Sequence, residues 1–230
     1  MLNALATRGK LSVEVELLKF SQPVKKPIWY TNEQIDTILA ADLPKREKLL
    51  VRLLLDCGPR LAEALALNWE WVQWHEEKGL GTIWLPAEFT KGKKEDRRSV
   101  FYRETWEAFQ EYKNEVEGRA IVEEVEYEGI DEPVKVTPVF LSMNGCKFGR
   151  VGRLQTRGGS HIFSRMSEQL GFKIRAHKFR HSAGRRMAVA GIPQQAGMKQ
   201  LGHLDPNQWL HYSDLGDEEQ LEVFSRLVVK

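Results

Sequence analysis

Between residues 177 and 212 the chain reads His177-Lys-Phe-Arg180-His181, then Leu201-Gly202-His203, then Tyr212. Histidines, an arginine and a late tyrosine are the side chains needed to open a phosphodiester with a protein nucleophile. Residues three apart share a helix face, so His177 and Arg180 fall side by side. A phosphodiester resists attack because its oxygens repel nucleophiles and its alkoxide leaves poorly. A protein must neutralise the non-bridging oxygens, supply a nucleophile and protonate the leaving oxygen. Arginine suits the first task, since its planar fork grips phosphate with two hydrogen bonds. Arg180 is one such residue. Arg60 is the best second candidate: it follows the Gly58-Pro59 break at a helix start, where free backbone N–H groups also favour an anion. Glu63, one turn later, is placed to hold that guanidinium, although such pairs commonly stabilise plain helix surfaces.

Lysine at a hairpin tip can deliver a proton to a leaving oxygen, and Lys91, Lys93 and Lys94 all qualify by location. Histidine donates to phosphoryl oxygens or shuttles protons near neutral pH, which singles out His177 and His203 over His75 and His161. Tyr212 lies among polar residues and on its own reads as a surface aromatic. A phenol with a reference pKa near about 10 becomes a useful nucleophile only with help from cations or a base. His177 and His181 have the i, i+4 spacing of a helical zinc pair. The residues between them are Lys-Phe-Arg, and two cations there repel a divalent ion, so no metal site is expected. No glycine loop of the nucleotide-binding type is present, and no cofactor is expected.

The elements that must position these residues belong to a 230-residue chain with 42% hydrophobic and 29% charged residues, ordinary for a globular protein. Cys57 and Cys146 give no disulfide framework, which fits a reducing cytoplasm. No apolar run approaches the about eighteen residues of a membrane span, and the N-terminus lacks the layout of a signal peptide. The net charge of +2 hides a strong asymmetry. Eight acidic residues against Arg119 alone lie between Glu115 and Glu132, whereas eleven Lys and Arg against Glu168 alone lie between Cys146 and Arg186. That basic block has the footprint of phosphate-backbone binding, with a solvated face as the plainer alternative. Lys93 and Lys94 in the turn, and Arg150, Arg153, Arg157 and Lys178 in the block, are the candidate DNA contacts.

Residues 1–27 read as a linker or the tail of an upstream domain, and residues 28–230 as one domain. Thr31-Asn-Glu-Gln34 has capping-box spacing and opens a helix through Ile35, Ile38 and Leu39. Pro44 starts a second helix with Leu49, Leu50, Leu53 and Leu54 on its buried face. Gly58-Pro59 ends it, and Arg60 to Leu67 forms a third. Thr82 to Phe89 and Arg98 to Tyr102 read as strands flanking the basic turn. Helices are expected through Trp106, Phe109 and Tyr112, over 160–170, 177–190 and 193–201, and over 217–228, with an irregular acidic insertion carrying a strand pair. The fold class is α+β, mainly helical, with a small antiparallel sheet.

These pieces occur in the order found in tyrosine recombinases, the phage-integrase family, whose catalytic domain the chain resembles from about Tyr30 onward. Gly58-Pro59-Arg60-Leu-Ala-Glu63 resembles the first arginine motif, and Thr90-Lys91-Gly92-Lys93 the hairpin lysine. Ala176-His177-Lys-Phe-Arg180-His181 resembles the histidine-x-x-arginine box, while Leu201-Gly202-His203 and Tyr212 resemble the closing histidine and the nucleophile. The resemblance implies that Tyr212 attacks the scissile phosphate, giving a 3′-phosphotyrosine and a free 5′-hydroxyl. Arg60, Arg180 and His203 then stabilise the phosphorane, Lys91 protonates the 5′ oxygen, His177 assists proton transfer at the tyrosine, and Glu63 supports Arg60. It also implies double-stranded DNA as partner, and for the full-length form a homotetramer on DNA built from protomers that are monomeric when free. Two departures stand out. Of the family's N-terminal core-binding domain only a tail would be present, and Pro59 precedes Arg60 where a larger apolar residue is commoner. A type IB topoisomerase and a catalytically silent DNA-binding module are the alternatives. The six residues Arg60, Lys91, His177, Arg180, His203 and Tyr212 speak against the silent module, and the compact Leu-Gly-His form against the topoisomerase.

Overall fold

The computed structural model describes residues 29–90, 95–119, 121–127, 131–142, 151–202 and 205–213. The expected tail over 1–27, the turn residues Lys91, Lys93 and Lys94, Arg150, His203 and the last helix over 217–228 lie outside them.

Helix α1 (Asn32–Ala40) opens on the expected capping box. Thr31 Oγ1 accepts from the Gln34 N–H at 3.3 Å and Gln34 Oε1 accepts from the Thr31 N–H at 3.2 Å. Helix α2 (Lys45–Cys57) follows Pro44 and is apolar on most of its circumference: Leu49, Leu50, Val51, Leu53, Leu54, Leu55 and Cys57 are all buried. A helix patterned that way belongs in the interior, and α2 is the central element of the core. Its one buried acid, Glu47, accepts a hydrogen bond from Arg165. The helix stops at Gly58, whose φ of +58° is the left-handed geometry glycine adopts without steric cost. The chain then enters the short helix α3 (Leu61–Leu65).

Strands β1 (Val72–His75), β2 (Leu80–Leu85) and β3 (Arg97–Phe101) form an antiparallel sheet in that order, with Trp74 opposite Gly81 and Gly81 opposite Phe101. The sequence reading placed only two strands here. Strand β1 escaped it because it is only four residues long, too short for the alternation of Val-Gln-Trp-His to stand out. Pro86 ends β2, so Ala87 to Phe89 forms a turn of 3₁₀ helix instead of extending the strand. Helix α4 (Arg103–Glu115) covers the sheet and α2 through Phe109 and Tyr112.

The acidic insertion holds the expected strand pair, β4 (Glu123–Val125) with β5 (Val134–Val136), and a two-residue pair follows, β6 (Leu141–Ser142) with β7 (Gly152–Arg153). Helix α5 (Thr156–Leu170) begins four residues before the expected start. A Cβ on Gly159 would lie 2.8 Å from a Leu65 methyl, so the glycine in the added turn serves the close approach of α3 and α5. Helix α6 (Ala176–Val189) also packs on α2. Helices α7 (Gln194–Leu201) and α8 (Pro206–Ser213) pack against α6 and each other, around a small second cluster of Ala183, Leu201, Trp209 and Tyr212.

Candidate active site

Glu63 is the anchor on which the cationic side of the site is built. Only 2% of it is exposed, and its carboxylate is fully engaged. Oε2 accepts from the Arg60 backbone N–H at 2.9 Å and from Arg97 Nη2 at 2.7 Å, while Oε1 accepts from Arg60 Nη1 at 2.8 Å. Burial opposes the charge on Glu63, but Arg97 and the hydrogen bonds from Arg60 outweigh it and hold the carboxyl below its ordinary range. The same carboxylate therefore starts α3 and aims two guanidinium groups. Arg97 was absent from the sequence-derived set. The signal for it was the alternation of β3, which turns Arg97, Ser99 and Phe101 inward and Arg98 and Val100 outward. Arg97 Nη1 also donates to the Leu201 carbonyl at 2.7 Å, and Ser99 Oγ donates to the Gln200 carbonyl at 2.8 Å. Strand β3 thus fixes the end of α7, next to which His203 lies in sequence.

Arg180 projects from α6 into the same region and is 2% exposed. Its Nη1 donates to the Gly58 carbonyl at 2.6 Å, at the turn that precedes Arg60. Its Nη2 is buried without a hydrogen-bond partner among the described residues. Burial, with Arg60 and Arg97 adding, pushes the guanidinium down to about 10, against Glu63 and Tyr212, so it remains a cation at neutral pH. Arg60 and Arg97 pair with the Glu63 carboxylate, and Arg180 lies within the field of all three. A buried cation with a donor left open is costly unless an anion completes it.

Tyr212 is carried by α8 and is 3% exposed, so it is not the surface aromatic its polar neighbours implied. Its ring lies in a notch on α6 of the same chain, where a Cβ on Gly184 would come within 2.7–2.8 Å of three ring carbons. Arg185 Nη1 donates to the Tyr212 carbonyl at 2.7 Å, tying the end of α8 to α6. The Tyr212 hydroxyl is 3.1 Å from His181 Nδ1. The sequence reading used His181 only in weighing a metal site and gave proton transfer to His177. His177 instead stands at the exposed start of α6, with its ring edge-to-face on His181 at 4.3 Å between centroids. Burial raises the Tyr212 pKa, partly offset by Arg180. Burial, aided by His177, Arg180 and His211, pushes His181 down to about 4. His177 is lowered by burial, then by Arg180 and Arg60. The arrangement can bind an anion beside a phenol whose hydroxyl already faces a neutral imidazole.

Arg60, Glu63, His177, Arg180 and Tyr212 are therefore brought together, whereas Lys91 and His203 lie outside the described residues. The candidate DNA contacts divide. Arg157 is exposed in the first turn of α5. Lys178 is half-buried with its ammonium 4.4 Å from the centre of the Tyr30 ring. Arg153 is committed inside the molecule, donating to Glu123 at 2.8 Å, to the Ala66 carbonyl at 2.7 Å and to Asn68 Oδ1 at 2.7 Å. Its guanidinium satisfies the carbonyls at the end of α3 and has little left to offer a phosphate. No group of three or more His, Cys, Asp or Glu among the described residues is arranged to hold a metal ion.

Residues 29–219 match the model of the phage integrase family. No curated protein sequence matches the chain. Among solved structures, the fold is similar to the XerH site-specific recombinase in its post-cleavage complex with palindromic difH substrate, at TM-score 0.62 and 21% identity over 87% of this chain and 53% of that one. It is also similar to the XerA recombinase, at TM-score 0.63 and 16% identity over 90% and 68% of the two chains. A lambda integrase (75-356) dimer bound to a COC′ core site gives TM-score 0.56 and 15% identity over 93% and 69%. The chain spans about half the length of the XerH protein it matches. With a family model matched over most of its length and the family's helical fold, the chain belongs to the phage integrase family.

Proposed function

We propose that the protein is a site-specific DNA recombinase that cuts and rejoins strands by transesterification. Tyr212 attacks the scissile phosphate and becomes linked to its 3′ side, releasing a 5′-hydroxyl. Arg60, Arg180 and His203 hold the non-bridging oxygens, with Glu63 and Arg97 keeping Arg60 in place, and Lys91 protonates the 5′ oxygen. The phosphotyrosine bond conserves the energy of the cut strand, so rejoining to a partner strand needs no nucleotide cofactor. The observation that carries the reading is Arg180: a buried guanidinium with one nitrogen unpartnered, within the field of Arg60 and of the Tyr212 phenol. Preorganised cations of this kind act where charge develops in the transition state.

The partner is double-stranded DNA, bound in the cytoplasm as a homotetramer. DNA complexes of XerH and lambda integrase, to which the fold is similar, support DNA as the partner. Exposed Arg157 is a candidate phosphate contact, joined by Lys93, Lys94 and Arg150. Lys178 would first have to leave the Tyr30 ring. The test is a pool of nicked duplexes of randomised sequence, from which the short fragment carrying the released 5′-hydroxyl diffuses away and leaves the adduct trapped. Wild-type protein should yield a covalent protein–DNA species that resists denaturation and disappears in Tyr212→Phe. Full retention of the adduct in Tyr212→Phe overturns the reading.

A further inference from the structure

The side chain on the reacting oxygen is not one of the six. We propose that His181 is a further catalytic residue, whose Nδ1 takes the proton of the Tyr212 hydroxyl as that oxygen attacks phosphorus. The inference rests on the recombinase reading and deepens it. Three observations carry it. The hydroxyl and Nδ1 are 3.1 Å apart, within reach for direct transfer. The pair is held from both sides, by the Gly184 notch against the phenol ring and by the Arg185 hydrogen bond to the Tyr212 carbonyl. His181 also sits one helical turn beyond His177, which stacks edge-on against it and stands between it and the start of α6.

The proton count closes without any further reactant. The Tyr212 O–H bond breaks, its electron pair forms the new P–O bond, and the proton passes to the Nδ1 lone pair. This requires the tautomer with hydrogen on Nε2, the form in which Nδ1 accepts the hydroxyl hydrogen bond. The P–O5′ bond breaks and its electron pair leaves on the 5′ oxygen, protonated by the acid proposed at Lys91. In rejoining, the imidazolium returns its proton to the departing phenolate. Free of DNA, the imidazole is kept neutral first by burial and then by the charges around it. The groups that act on it are His177 and Arg180 on its own helix and His211 on α8. Of these, Arg180, with Nη2 left open, is the cation a bound phosphate would neutralise. DNA binding therefore makes the imidazole a better base at the moment it is needed.

His181→Asn places an amide oxygen near the Nδ1 position and keeps the hydrogen bond, but it cannot carry a proton away. With the trapping duplexes, adduct formation by this variant should fall by about 100-fold or more near neutral pH. Its rate should climb about tenfold per pH unit from about pH 7 towards pH 10, as solvent ionises the phenol, while the wild-type rate stays nearly flat there. His181→Ala supplies a second reading that does not depend on the asparagine variant folding: added imidazole should raise its rate. An asparagine variant within about threefold of wild type overturns the proposal. So does a slow variant whose pH profile parallels wild type, since that marks a structural role. Absence of any adduct from the wild type overturns the recombinase reading itself and takes this inference with it.

Discussion

At the scale of residues, the site is governed by what burial does to two titratable groups, Tyr212 and His181. Tyr212 is pushed towards its neutral form, so it rests as a phenol and needs both a cationic phosphate site and a proton acceptor. Its placement depends on a glycine. Gly184→Ala drives a methyl group into the phenol ring, which should cost about 1–3 kcal/mol of stability by overpacking. The displaced hydroxyl should also slow adduct formation by about 100-fold while DNA binding persists. Thermal melts, trapping and a mobility shift read the three effects separately. His181 has the opposite pH signature to a histidine that gains a partner. Its folded pKa of about 4 lies below the unfolded value, so the unfolded chain binds the extra proton between the two. Its contribution to stability is complete above about pH 6.5 and declines as pH falls towards about 4. Melting temperature should therefore drop on acidification through that window, and His181→Asn should flatten the drop.

At the scale of elements, Glu63 joins the start of α3 to β3, and β3 in turn holds the end of α7. Glu63→Gln removes the only carboxylate facing Arg60 and Arg97 among the described residues. Breaking a buried ion pair from one side costs about 3–5 kcal/mol, and denaturant titration should show a loss of that order. Adduct formation should fall with it, because Arg60 loses its tether. The Arg60–Glu63 half of this unit was legible in the sequence from its spacing alone. The Arg97 half was not, because its partners Glu63 and Leu201 lie 34 and 104 positions away. The same contrast holds elsewhere. The Thr31 capping box, Pro44 and Gly58 mark helix ends through local chemistry and were readable. The early start of α5 depends on Leu65 packing over Gly159, a tertiary contact that local sequence shows as a break.

For the whole molecule, segregation of charge is the feature most visible in sequence and the least informative residue by residue. The block from Cys146 to Arg186 contains Arg180 in the site, Arg157 exposed, Lys178 over an aromatic ring and Arg153 consumed by the fold. Counting cations cannot separate these, because pairing is decided in three dimensions. DNA affinity should fall steeply with salt, with a log–log slope set by the phosphates contacted. Arg157→Ala should shallow that slope by about one, whereas Arg153→Ala should lower stability and leave the slope unchanged. Fluorescence anisotropy over a salt series distinguishes them. The chain has five tyrosines, Tyr30, Tyr102, Tyr112, Tyr127 and Tyr212, and only Tyr212 is described beside Arg180 and His181. Mass spectrometric mapping of the peptide left attached to DNA in the trapped adduct is therefore the most direct measurement. The account predicts the nucleotide remnant on Tyr212, and a remnant on any other residue would contradict it.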